Sequence, residues 1–317
     1  MSASSSAPVQ FDHFEDFLAG SIVTLVCVIG TLLMGLVILG SLRIPSMKSS
    51  FGVLTVNQNL AETVACVACF YVFFFGYTLG IEEVIQYSYF IGGVTVIMLH
   101  IILISFLLIS LNRFCAIAFP IAYKIFFSKK CLIMLLVGNW CIPFSYSIYL
   151  LIIKECTFAI YHFGWYFNEV KNAKCGSSLL IYRAYPQIFL ILTTLVADIL
   201  TLCLLLLLRN RLFKLKSAEA KKRELNFARQ VLVQGAVFLM HGAWYDYGRN
   251  IMPGMSENWK IFWTTSFSAN LLHVFDPMIV FICNMEFRKW LVSIGKTNKI
   301  SKIQTVGVLS TSMANSN

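Results

Sequence analysis

Apolar stretches too long for the core of a soluble domain recur along this chain, and basic residues gather in every second gap between them. The first runs from Phe17 to Leu42 without a charged residue, and 89–111 and 188–208 repeat the theme. About 20 apolar residues wound into a helix cross the roughly 30 Å hydrocarbon layer of a bilayer. Inside that layer each backbone group must be satisfied by the chain itself, which makes such a stretch a helix. The pattern predicts seven of them, at 17–42, 51–79, 87–111, 131–153, 182–208, 227–248 and 262–283. The expected fold is an all-α membrane bundle of seven transmembrane helices, with a tail over 1–16, the bundle and a juxtamembrane helix over 17–294, and a disordered tail over 295–317.

Composition agrees: 58% of residues are hydrophobic and 13% charged, against about 25% charged in ordinary soluble domains. The net charge of +10 could suggest nucleic acid, but its placement excludes that class. Arg43 and Lys48 fill the first gap, Lys124, Lys129 and Lys130 the third, and Arg209, Arg211, Lys214, Lys216, Lys221, Lys222 and Arg223 the fifth. Glu82 and Glu83 fill the second gap, while the fourth and sixth are near balance. Basic residues beside helix ends stay in the cytosol, so the acidic start (Asp12, Glu15, Asp16) faces outward and the other end of the chain inward. Asn284 to Ile294 places Phe287, Trp290, Leu291 and Ile294 at helical spacing, the pattern of a short amphipathic helix on the inner leaflet.

Of ten cysteines, eight lie in or beside apolar spans, where a thiol is a small hydrophobe. Cys156 and Cys175 fall in a polar loop on the outer, oxidising side and are the expected disulfide.

Polar residues inside the spans keep helical spacing. Helix 2 carries Thr55, Asn59, Glu62, Cys66 and Cys69; helix 5 Thr194, Asp198 and Thr201; helix 6 Gln230, Gln234, His241 and Tyr245; helix 7 Ser266, Asn270, His273 and Asp276. Two readings stay open. Such groups can be interhelical hydrogen bonds that fix packing, or they can line a ligand cavity or an ion path. Catalysis is not indicated, because His100, His241 and His273 stand on separate helices without metal-ligand spacing and no nucleophile motif appears. No cofactor or metal is implied. Aromatic residues crowd the outer half of helix 2 from Phe70 to Tyr77, and Trp165, Trp244, Tyr245, Tyr247 and Trp263 lie at similar depth. They form a membrane-interface belt or an outward-opening apolar pocket, with Glu62, Phe74, His100, His241, Trp244 and His273 as its candidate contacts.

At the inner end of helix 3 stands Ser110-Leu-Asn-Arg113-Phe-Cys-Ala-Ile-Ala-Phe-Pro120, followed by Tyr123. This resembles the Asp-Arg-Tyr region of rhodopsin-like seven-helix receptors, and Asp276-Pro277-Met-Ile-Val280 resembles their Asn-Pro-x-x-Tyr. With Pro45 to Gly52 before helix 2 and Glu224-x-x-Phe-x-x-Gln230 opening helix 6, the order of motifs over 17–291 is similar to nematode serpentine chemoreceptors of class X. The resemblance implies a G-protein-coupled receptor in the plasma membrane, in sensory cilia, whose partners are an extracellular small molecule and a heterotrimeric G protein. Arg113, Pro120, Tyr123 and Glu224 would then serve coupling, and Asn59, Asp276 and Pro277 the activation relay.

Four departures matter. Ser88 lies near the place of the helix 3 cysteine that ties many such receptors to the second outer loop, and helix 6 lacks proline. Asn112 replaces the acid beside Arg113, so pairing of Arg113 with Glu224 is expected instead. Asn59 and Asp276 exchange the usual positions of acid and amide, so contact between them is expected. The alternative to a receptor is a small transporter or channel that uses Glu62, Asp198, His241 and Asp276 as a proton or ion path.

Overall fold

The computed structural model describes residues 13–169, 185–215 and 218–293; of 208–215, 218–225, 227 and 228 it describes the backbone alone. The remaining tail residues, and Cys175, lie outside the described residues. Seven long helices run through it: α1 (His13–Arg43), α2 (Ser50–Thr78), α3 (Ser88–Ala118), α4 (Lys129–Ile153), α5 (Tyr185–Leu215), α6 (Ala218–Tyr247) and α7 (Glu257–Cys283). Six are long and apolar enough to cross a bilayer on their own composition. The seventh, α6, carries Gln230, Gln234 and His241 and packs between α5 and α7. Neighbours follow a ring, with α1 against α2 and α7, α3 against α2, α4 and α5, and α6 closing onto α7.

The helices overrun their predicted ends because polar residues at those ends find partners. At the start of α1, Glu15 and Asp16 accept indole hydrogen bonds from Trp259 and Trp165. The α3 extension holds Asn112, which donates to Ser50 Oγ on α2 at 2.9 Å. Pro120 then opens a short helix, Pro120–Phe126, at the position where its missing N–H costs nothing. The expected amphipathic segment is helical over 285–293, with Phe287 fully buried and stacked edge-on against Phe281 and Trp290.

One feature is absent from the all-helical expectation. The loop after α4 folds into an antiparallel hairpin, β1 (Phe158–Tyr161) and β2 (Tyr166–Glu169), in register from Phe158↔Glu169 to Tyr161↔Tyr166. Gly164 turns it at φ +80°, a conformation that suits a residue without a Cβ. The hairpin sits on the start of α3. Ile160 N donates to Ser88 Oγ at 3.1 Å, and Gly92 lies so close that an added Cβ would fall 2.0 Å from Phe158 O. Thus Ser88, where a tethering cysteine is missing, holds the loop by hydrogen bonding instead. Cys156, just before the hairpin, is disulfide-bonded, while Cys27, Cys66, Cys69, Cys115, Cys131, Cys141, Cys203 and Cys283 are free thiols.

Candidate functional site

The hairpin turn plugs one end of the bundle. Trp165 is buried to 2% exposure, donates its indole N–H to Asp16 at 2.5 Å, and accepts the Ser266 hydroxyl on its carbonyl at 2.6 Å. Its ring packs on Trp259 and Phe262 at 5.0 and 5.9 Å. Residues from α1, the hairpin and α7 therefore lock together at this end.

Midway down, a polar cluster ties three helices. Gln58 Nε2 on α2 donates to Glu62 Oε1 at 2.9 Å and to Asp276 Oδ2 on α7 at 2.8 Å. Gln234 Nε2 on α6 donates to the other Asp276 oxygen at 2.6 Å. His273 Nδ1 stands 3.9 Å from Glu62 Oε2, and Asn270 accepts from the Cys27 thiol on α1 at 3.2 Å. Pro277 has no N–H for the carbonyl of His273, four residues back, and that carbonyl faces Gly30 of α1 instead. The expected Asn59–Asp276 contact is replaced: Asn59 donates back to Thr55 O at 2.8 Å, and it is Gln58 that reaches Asp276. Threonine hydroxyls likewise bond their own helix, Thr55 to Phe51 O, Thr194 to Leu190 O and Thr201 to Ala197 O, so they are not interhelical ties. A tie that the sequence reading missed joins α2, α3 and α4, where Ser105 Oγ accepts from Asn57 and Asn139 and Trp140 donates to Asn57.

At the opposite end, Ser50 Oγ lies 2.7 Å from Tyr123 OH and also accepts from Asn112. Arg113 projects its guanidinium over the Phe51 ring, 3.5 Å from its centroid. Such a stacked cation stabilises the pair by about 0.5–2 kcal/mol. Arg113 and Tyr123 are thus both anchored on the start of α2. Glu224 lies on α6, but its side chain is outside the described residues.

The six candidate ligand contacts do not share one pocket. His241 and Trp244 line a cavity of about 730 Å³ between α6 and α7. Glu62 and His273 belong to the polar cluster. His100 bonds the Val96 carbonyl at 2.9 Å and packs on Tyr146, and Phe74 stacks on Phe70 at 5.2 Å. The four residues of the ion-path alternative are also spread out. Glu62 and Asp276 share Gln58, but Asp198 sits in a separate, much smaller cavity beside Ser110 and Gly235, and His241 faces the α6–α7 cavity.

Comparison with known proteins agrees with this architecture. The profile of the serpentine type 7TM GPCR chemoreceptor family Srx matches residues 24–284, most of the chain. The chain belongs to the Srx family. Serpentine receptor class X-43 of Caenorhabditis elegans is 45% identical over 277 residues, 87% of either protein. Serpentine receptor class X 45 of the same organism is 25% identical over 202 residues, 58% of this chain and 55% of that protein. Among solved structures, squid rhodopsin superposes with a TM-score of 0.67 at 14% identity, covering 88% of this chain and 85% of its own, which is a likeness of fold. The protein is therefore a multi-pass membrane receptor of the serpentine chemoreceptor type and not an enzyme.

Proposed function

We propose that this Srx receptor is a chemosensory G-protein-coupled receptor of the plasma membrane, in sensory cilia, with its hairpin end outside and its basic end in the cytosol. A small molecule bound between α6 and α7, against His241 and Trp244, shifts the bundle between two arrangements. The basic face then engages a heterotrimeric G protein through Arg113, Pro120, Tyr123 and Glu224. Asn59, Asp276 and Pro277 belong to the relay between the two faces, and Cys156 pairs with Cys175.

The observation that carries this reading is the hydrogen-bonded path Gln234–Asp276–Gln58–Glu62, which joins α6, α7 and α2 alongside the ligand cavity. A ligand shifts such an equilibrium only by its differential affinity for the two arrangements. A wall on α6 and α7, the pair that the path joins, supplies that difference. The place of Asp198 in a separate, smaller cavity counts against a continuous proton or ion path.

The test is a compound screen in cells that express the receptor at their surface, with G-protein activation as readout. Activation by a compound, lost with Arg113→Ala at unchanged surface level, is expected. Compound-driven ion flux in reconstituted vesicles that lack G protein would instead favour a channel.

A further inference from the structure

The cavity between α6 and α7 has an unusual shape for a receptor pocket that fills from water. Its α7 wall includes the stripe Trp263, Phe267, Leu271, Phe275, Met278 and Ile282. Steps of three and four keep these residues on one face over nearly the whole helix. From Trp263 to Ile282 that face rises about 28 Å at helical pitch, close to the thickness of the hydrocarbon layer. The space of about 730 Å³ follows that face and is a long groove between the two helices.

Its chemistry is equally restrictive. No charged side chain lines it. The hydroxyl of Ser268 is spent on the carbonyls of Thr264 and Thr265, and the indole N–H of Trp244 on Trp263 O at 3.1 Å. Among the described wall residues His241 Nε2 is buried without a partner, so the groove satisfies one hydroxyl-like group. A ligand with further polar or charged groups would bury them unpaired, at a cost of several kcal/mol.

The groove opens sideways. Met240, Phe275, Met278 and Ile282 on its rim are 63%, 40%, 39% and 58% exposed, and a bundle of this kind exposes its flanks to lipid. Toward the hairpin end the groove is bordered by Met252 and Met255 of the α6–α7 connection, while Trp165 and Trp259, bonded to Asp16 and Glu15, fill the neighbouring space beside α1. We infer that the ligand of this receptor is an uncharged, elongated, hydrocarbon-rich molecule that first dissolves in the bilayer and enters the α6–α7 groove laterally. This rests on the receptor reading given above. Gln234–Asp276, a side-chain bond that joins α6 to α7, lies one turn from Val237 and Ile279 in the groove wall. An occupant therefore bears on the seam that this bond closes.

The test uses the purified receptor in phospholipid nanodiscs, photolabelled with a diazirine-bearing hexadecanol and mapped by mass spectrometry. Saturable labelling of peptides that cover 237–244 and 263–282, competed by unlabelled hexadecanol, is expected. Leu271→Trp, which fills the groove, should lower it at least ten-fold, whereas Leu36→Trp on the exposed flank of α1 should leave it unchanged. If Leu271→Trp misfolds, Leu272→Phe serves the same purpose, and Phe275→Ala should admit a bulkier, branched probe that the native groove rejects. Labelling that rises linearly with probe and follows exposure over all helices would mean annular lipid contact and would overturn the inference. Nucleotide exchange is measured in parallel. Ligand-driven exchange without groove labelling removes this site but keeps the receptor, and saturable labelling without exchange on any G protein keeps the site and removes the receptor reading.

Discussion

Replacing Gln58 by Met keeps the length and flexibility of the side chain and removes the one amide that joins α2 to α7. Gln58 is 1% exposed, so no solvent takes over its role. Two hydrogen bonds vanish, to Glu62 Oε1 and to Asp276 Oδ2. Side-chain hydrogen bonds within a bilayer average about 0.6 kcal/mol and reach about 1.7. Each stranded acceptor adds a cost of about 1–3 kcal/mol. Asp276 keeps its bond from Gln234, which limits the loss on that side. The expected destabilisation is about 2–4 kcal/mol. At about 2–4 °C per kcal/mol, the scale for domains of roughly this size, Tm falls by about 5–15 °C. Tryptophan fluorescence on heating, with the receptor in nanodiscs, reads this directly. Adding Glu62→Leu to Gln58→Met should cost less than the sum of the two, because the residues are in contact. A Tm within a degree or two of the native receptor, or strict additivity, would refute the bridge.

Other outcomes follow from the same contacts. Gly92→Ala should abolish folded receptor at the cell surface, because its Cβ would meet Phe158 O at 2.0 Å, whereas Gly35→Ala, with nothing within 4 Å, should be neutral in the same surface assay. Arg113→Ala should leave the surface level within two-fold of native and remove G-protein activation, and Glu224→Gln should raise basal activation if the two residues pair at rest. An unchanged basal signal would sink that pairing. Peptide mapping without reductant should recover Cys156 joined to Cys175, and Cys156→Ser should destabilise the receptor by about 2–5 kcal/mol, read as a lower surface level.

Much of this architecture is written in the local sequence, and the parts that are not share a cause. The spans are legible because lipid demands long apolar helices, so α1 to α7 fall close to the predicted stretches. Even α6, the most polar, shows its helical spacing through Gln230, Gln234 and His241. Helix ends are less legible, since the extension of α1 depends on Trp165 and Trp259, which are remote in sequence. The hairpin had a readable signal, the aromatic and β-branched residues Phe158, Ile160 and Tyr161 before a glycine turn, hidden by the helical context. The polar relay was found as a set of residues but not as a set of bonds. Motif counting paired Asn59 with Asp276, whereas the rotation of α2 turns Gln58 toward α7, a matter of tertiary packing. The α7 stripe from Trp263 to Ile282 has helical period too. Whether such a stripe meets lipid, a neighbour or a groove depends on where α6 lies, and sequence spacing on one helix does not contain that.

The central claim is that this Srx receptor passes a signal from the α6–α7 seam to a G protein on its basic face. Nucleotide exchange by a panel of heterotrimeric G proteins, on receptor in nanodiscs with and without long-chain apolar compounds, tests it most directly. At least one pairing of compound and G protein should accelerate exchange, and the acceleration should disappear with Arg113→Ala. Exchange that stays at the rate of empty nanodiscs for every pairing, from receptor that is folded and labelled in the groove, would contradict the account.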